Sequence, residues 1–256
     1  MSGMGRLGFI REVTLLRDRI ASYDAYPFSI PAVRHLRSLK LNPAVTFLIG
    51  ENGSGKSTLI EAIAVAAGLN AEGGSQNFRF SARGTESELH HFLRLVRNLR
   101  RPRDSFFLRA ESLFNVATYL DELALVDGCA YDAYGGQSLH EKSHGESFLT
   151  LLGHRFGRDA LYLLDEPEAG LSALGQLSLL AAMNDLVVDK GCQFLIATHS
   201  PIVLAYPAAT IYLLAEDGIS EVAYEETEHY SLTRDFLNNR DRYLRQLFTT
   251  GPAQQL

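Results

Sequence analysis

Residues Gly50-Glu51-Asn52-Gly53-Ser54-Gly55-Lys56-Ser57 spell GxxxxGK[ST] between an apolar run, Ala44–Ile49, and a stretch, Lys56–Leu69, in which Leu59, Ile60, Ile63, Ala64 and Ala67 recur at helical spacing. Nothing else in the chain constrains its fold as strongly. Strand, glycine-rich loop and helix in that order make a phosphate-binding loop. The glycines let the backbone turn so that consecutive N–H groups point inward at phosphate oxygens. The helix that follows adds the partial positive charge of its N-terminus. The residues expected to cradle phosphate run from Gly50 through Glu51, Asn52, Gly53, Ser54, Gly55, Lys56 and Ser57 to Thr58. Lys56 is placed to reach the β- and γ-phosphates, and the Ser57 hydroxyl to ligate Mg²⁺.

A loop of this kind needs a sheet to carry it. Two further runs, Ala160–Leu164 and Gln193–Thr198, are almost continuously apolar, as strands buried on both faces of a parallel sheet are. Each ends where polar residues begin, and ligands of open α/β sheets bind beyond the carboxyl ends of the strands. The first run ends in Asp165-Glu166-Pro167. Asp165 is expected beside the phosphate loop as a Mg²⁺ ligand, and Glu166 where it orients and deprotonates an attacking water. Thr85 with Glu88 reads as a capping box opening a helix with Leu89, Phe92, Leu93, Val96 and Leu99 on one face, stopped by Pro102. Thr210–Ala215 and Ile219–Tyr224 flank Glu216-Asp217-Gly218 as a hairpin, and a last helix spans roughly Leu232–Phe248.

Composition limits the alternatives. A chain of 256 residues, 46% hydrophobic, supports a large globular core. A net charge of −6 argues against non-specific nucleic-acid binding over the whole surface. Cys129 and Cys192, in no CxxC pair, read as free thiols of a reducing compartment. With no secretory signal and no apolar stretch of membrane-spanning length, the expectation is a soluble, cytoplasmic protein without direct membrane insertion.

Three further segments carry a family resemblance. Ser143-His144-Gly145-Glu146 resembles the ABC signature LSGGQ, with Lys142 in place of the leucine and His144 in place of the first glycine. Ala169-Gly170-Leu171-Ser172 resembles the D-loop, with Ser172 where Asp is usual, and Ala197-Thr198-His199-Ser200-Pro201 resembles the switch-histidine segment. From Gly50 to Pro201 the order and spacing are similar to ABC-type ATPases. The phrasing around Glu168 and His199 is most similar to small bacterial ATPases related to the SMC and RecF heads. The resemblance implies a single three-layer α/β P-loop domain with a mixed, mostly parallel sheet. It also implies a small helical lobe inserted at roughly 75–145, with the hairpin and helix following at 209–248. It implies Mg²⁺-dependent hydrolysis of ATP by Lys56, Glu166 and His199, with Mg²⁺ held by Ser57 and Asp165. Two chains would face each other head to tail, Ser143, Gly145 and Glu146 of one closing on ATP held by the other. Gln76 is the candidate for the family's Q-loop glutamine at the metal, or a plain polar loop residue.

Other patterns stay open at this level. His140-Glu141-Lys142-Ser143-His144 spells HExxH, but Gly145 interrupts the helix a zinc site requires. Arg94, Arg97, Arg100, Arg101 and Arg103 form either a solvated helix face or a docking surface for DNA, RNA or an acidic protein partner. Of Tyr23, Tyr26 and Phe28, one stacks on adenine or all pack in the core. The activity expected is that of an ATP-driven dimerising switch acting with a nucleic-acid or protein partner; the alternative is the ATP-binding energy subunit of a membrane transporter.

Overall fold

The computed structural model describes residues 7–71, 73–75, 87–109, 113–126, 131, 136–141 and 143–249. In chain order the strands are β1 (Ile10–Leu15), β2 (Ser38–Lys40), β3 (Val45–Ile49), β4 (Gly74–Ser75), β5 (Leu93–Arg97), β6 (Asp104–Arg109), β7 (Ala160–Asp165), β8 (Gln193–Ala197), β9 (Thr210–Ala215) and β10 (Gly218–Val222). The helices are α1 (Pro31–His35), α2 (Lys56–Ala67), α3 (Leu113–Val126), α4 (His144–Arg155), α5 (Ala173–Val188), α6 (Pro201–Leu204), α7 (Glu228–Asn238) and α8 (Arg240–Thr249).

The strands β3, β7 and β8 are buried at every position, which is why they read as unbroken apolar runs. They sit in a seven-stranded sheet of order β10-β9-β3-β8-β7-β6-β4. The five strands from β9 to β6 are mutually parallel, and the edge strands β10 and β4 are antiparallel. The sheet is therefore mixed and mostly parallel, as expected. Alternate side chains feed two cores. Phe47, Tyr162, Leu164, Phe194 and Ile196 face α3 to α6. Leu48, Leu161, Leu163 and Leu195 face α1, α2 and a second, three-stranded antiparallel sheet of order β2-β1-β5.

Gln193 joins the two sheets. It is 1% exposed, and its side-chain oxygen accepts from Phe9 N at 2.7 Å and Ile10 N at 3.0 Å. Its amide nitrogen donates to Ile10 O at 2.8 Å and Asn42 O at 2.9 Å. A buried primary amide with both ends occupied satisfies backbone groups that neither sheet pairs.

The segment after Thr85 corrects the sequence reading; Thr85 itself lies outside the described residues. Ser87, not Thr85, caps the turn, accepting from Leu89 N at 3.3 Å. Glu88–Phe92 form a single 3₁₀ segment, and Leu93–Arg97 then run as strand β5, paired antiparallel with β1. The backbone of β1 needs a partner on each side, and meeting that need outweighs the helical periodicity of the side chains. Leu89 and Leu93 are buried, whereas Leu99 is fully exposed. The expected helical lobe is correspondingly narrower than 75–145, since β5 and β6 within that range belong to sheets; its described helices are α3 and a 3₁₀ turn at Leu139–Glu141. The hairpin of β9 and β10 closes at Ala215↔Gly218 around Glu216 and Asp217. The last helix is two: α7 ends at Asn238, and α8 begins at Arg240 after Asn239 leaves helical geometry at φ −128° and ψ 33°.

Candidate functional site

The carboxyl ends of β3, β7, β8 and β6 converge on one edge of the sheet, because parallel strands place all their exits together. From β3 the chain turns through Gly50–Gly55 into α2. Gly55 caps that helix at φ 98°, and a Cβ there would lie 2.6 Å from Ile30 Cγ2. Only glycine suits that place. Lys56 is buried, and its Nζ donates to Gly50 O and Glu51 O, each at 2.9 Å. Burial lowers its pKa, while Glu166, Asp165 and Glu168 act in the opposite direction. Ser57 Oγ donates to Asp165 Oδ1 at 3.2 Å, which joins the loop to the acidic strand end.

One residue in this wall had no sequence-level signal. Arg109 ends β6, in register with Asp165. Its Nη1 bonds Glu61 Oε2 at 2.8 Å, and its Nε lies 3.7 Å from Asp165 Oδ2. A fixed cation is thus built between a carboxylate of α2 and the carboxylate that ends β7. The expectation that β6 was part of a helical lobe concealed it. Gln76 lies outside the described residues.

The opposite wall comes from the ends of β7 and β8. Glu166 takes a left-handed backbone conformation, φ 53°, which for a non-glycine residue costs of order 1 kcal/mol or more. Its backbone N–H bonds Ala197 O at 2.9 Å, tying the two strand ends. His199 Nε2 lies 3.8 Å from Glu166 Oε1. Glu168, also missed, accepts from His199 N through Oε1 at 2.7 Å. A second histidine, His229 on α7, reaches His199 Nδ1 at 3.1 Å.

The Ser143 segment sits apart from these contacts. Ser143 caps α4 in a reciprocal capping box with Glu146, a helix start the sequence carries in its Ser-x-x-Glu pattern. Ser143 is exposed, and its hydrogen bonds among the described residues are to Glu146 and Ser147. Gly145 packs on the next segment: a Cβ there would lie 2.7 Å from Gly170 O. Ser172, where the family pattern has Asp, caps α5 by accepting from Gly175 N. Since Ser143 lies between the 3₁₀ turn at Leu139–Glu141 and α4, His140 and His144 do not share one helix, and His140 Nε2 pairs with Thr118 Oγ1 at 3.1 Å.

The arginine stretch is a strand and a loop. Arg100 and Arg103 pair with Asp159, and Arg97 donates to Ala66 O and Ala67 O at the end of α2. All five arginines, Arg94 and Arg101 included, are exposed. The upstream aromatics separate cleanly. Phe28 is buried edge-on to Phe92, and Tyr23 lies under Arg17. Tyr26 is 61% exposed with its hydroxyl 3.4 Å from Thr58 Oγ1, beside the phosphate loop.

Several buried polar atoms at the site lack a hydrogen-bond partner among the described residues, including Ser54 Oγ in the loop and His199 Nε2, His229 Nδ1 and Glu168 Oε2 on the opposite wall. Buried polar groups are otherwise nearly always hydrogen-bonded. Together with the amide-rich turn and buried Lys56, they fit a phosphate group between the walls. The Ser57 and Asp165 oxygens are the donor type a hard divalent cation takes.

Fold and site together define a P-loop α/β domain, and the chain is similar to AAA- and ABC-type ATPases. A family model described as "AAA domain, putative AbiEii toxin, Type IV TA system" matches residues 45–108, which hold the phosphate loop. The chain is 29% identical over 158 residues to the zinc import ATP-binding protein ZnuC of Vibrio cholerae, covering 60% of this chain and 56% of that relative's length. It is 26% identical over 190 residues to the lipoprotein-releasing system ATP-binding protein LolD of Chromohalobacter salexigens, covering 67% of this chain and 79% of the relative. Among solved structures it is similar to cbiO1 from Clostridium perfringens, at 19% identity, TM-score 0.49, and 94% and 100% coverage of the two chains. It is also similar to the SMC head domain from Thermotoga maritima, at 14% identity, TM-score 0.44, and 84% and 98% coverage. No described helix is long and apolar enough to cross a membrane.

Proposed function

We propose that this protein hydrolyses ATP to ADP and phosphate with Mg²⁺, and that the ATP-bound state is a head-to-tail pair of chains. The observation that carries the reading is the buried, partnerless His199 Nε2 next to Glu166, across the site from Lys56 and Ser57. Lys56 and the Gly50–Thr58 loop bind the phosphates, and the exposed Tyr26 ring is the aromatic available to the base. Ser57 and Asp165 hold the cation, which when bound supplies charge neutralisation of the phosphate oxygens. Glu166 orients the water and accepts its proton, and His199 donates a hydrogen bond to the γ-phosphate. Ser143, exposed at the start of α4, would close a neighbouring chain's site and not its own, with Gly145 buried behind it against Gly170.

Glu166→Gln keeps the shape of the side chain and removes the base. It is expected to retain ATP binding and lose about 10²-fold or more of turnover. It is also expected to shift from monomer to dimer on addition of Mg-ATP in light scattering. Wild-type turnover in this variant removes Glu166 from the chemistry; an unchanged mass removes the ATP-dependent pair.

The partner that the switch acts on is a nucleic acid or protein. The arginine stretch supports this less than its sequence suggests, since Arg97, Arg100 and Arg103 are engaged by the fold. The names of the relatives favour a second reading, an ATP-binding subunit serving a membrane import or release system. An integral membrane protein co-purifying in fixed ratio would select that reading.

A further inference from the structure

His199 is not held by its own strand end alone. Its Nδ1 lies 3.1 Å from Nε2 of His229, thirty positions further along the chain on α7. Two imidazole nitrogens at that distance share one proton, so one ring donates and the other accepts. Two observations decide the direction. His229 Nδ1 is buried and has no hydrogen-bond partner among the described residues. An orphaned lone pair there costs less than an orphaned N–H, which places the His229 proton on Nε2. Independently, His199 Nε2 is buried, without a hydrogen-bond partner, 3.8 Å from Glu166 Oε1. An N–H facing a carboxylate oxygen is attracted to it, and a bare lone pair is repelled.

We infer that His229 is a positioning residue: by donating Nε2–H to His199 Nδ1, it holds His199 in the Nε2–H tautomer that faces Glu166 and the phosphate site. The inference rests on the proposed contact of His199 with the γ-phosphate, where only the Nε2–H form is a donor. The ring suits the task. Burial, then the neighbouring His199, then Lys56 keep its pKa below the usual 6.5 against the opposing pull of Glu228, so it is neutral in neutral solution. The helix that carries it is fixed in place. Thr227 caps α7, accepting from Tyr230 N, and its hydroxyl donates to Tyr224 O at 2.7 Å. Tyr224 Oη in turn donates to Pro201 O at 2.9 Å, two residues beyond His199. The start of the C-terminal helix is thus hydrogen-bonded through Tyr224 to the segment that follows His199.

The test compares full-length wild type, H229L, H229Q and H199A. Leucine removes the donor, whereas glutamine retains an N–H able to reach Nδ1. H229L is expected to lose about tenfold or more in kcat with KM for ATP unchanged, the scale of losing a group that orients a functional histidine. H229Q is expected to stay within about threefold of wild type by the same reasoning. Two-bond ¹⁵N–¹H NMR of histidine-labelled wild type should show His199 protonated at Nε2, a measurement that needs no variant to fold. Protonation at Nδ1, or H229Q as slow as H229L, overturns the inference. Slow H199A with wild-type turnover in H229L overturns the role of His229 alone. Wild-type turnover in H199A overturns the reading of His199 on which that role stands.

Discussion

The two walls of the site are built on opposite plans. On the phosphate-loop wall the functional side chains mostly bond within the protein: Lys56 to Gly50 O and Glu51 O, Ser57 to Asp165, and Arg109 through Nη1 to Glu61. On the other wall buried atoms are left open: His199 Nε2, His229 Nδ1 and Glu168 Oε2. A wall whose groups satisfy one another is preorganised and contributes to the stability of the fold as well as to binding. A wall with open donors and acceptors is held ready for something not yet present, and its substitutions should reach turnover before they reach stability. Ser54 Oγ, open at the turn of the loop, marks where the first wall too expects a ligand.

The largest effect that would break this comparison lies at Arg109. Its side chain is 21% exposed and that of Glu61 13%. Arg109→Leu removes a guanidinium from beside the carboxylates of Glu61 and Asp165 in a largely buried place. A loss of roughly 3–5 kcal/mol in urea unfolding is expected, the usual cost of breaking a buried pair. Unchanged stability would mean that the near wall does not depend on this cation. Next comes Lys56→Ala. Its charged hydrogen bonds should be worth about 1.5–3 kcal/mol to the phosphates, so ATP affinity in calorimetry should fall roughly 10- to 100-fold. A matching loss of kcat with affinity intact would put Lys56 with the far wall instead.

The smallest effect concerns acid. The folded pKa of His229 is below 6.5, first because it is buried and next because of His199. Above pH 6.5 both folded and unfolded rings are neutral and the group contributes nothing. As pH falls through 6.5 the unfolded chain takes the proton first, so the fold loses stability until the folded pKa is passed. The loss should be under about 1 kcal/mol for a ring only half buried. It is read as the extra drop in unfolding free energy of wild type over H229Q between pH 7.5 and 5.5. A larger drop in H229Q would reverse the sign and place a charged partner beside the ring.

How much could be read without coordinates follows from how each part is assembled. The loop Gly50–Ser57 and the acidic end of β7 are local: their chemistry is written within eight residues or fewer, and strand burial on both faces gives a plain apolar run. The segment Glu88–Arg97 misled because its apolar spacing suits a helix, while the unpaired edge of β1 required a strand. Arg109 and His229 carried no signal at all. An arginine after an apolar run and a histidine in a polar helix have no meaning until register and packing bring them to Asp165 and His199.

Sequence by itself determined the apolar runs of the doubly buried sheet and the phosphate loop between strand and helix, because periodicity and short-range spacing specify both. Only the tertiary structure decided that Gln193 joins a second sheet to the first, that Arg109 stands at the acidic strand end, and that the C-terminal helix brings His229 to His199. Each of these depends on contacts between residues tens of positions or more apart. Such contacts are selected by which unsatisfied backbone and side-chain groups the fold brings together, and no local pattern records that choice.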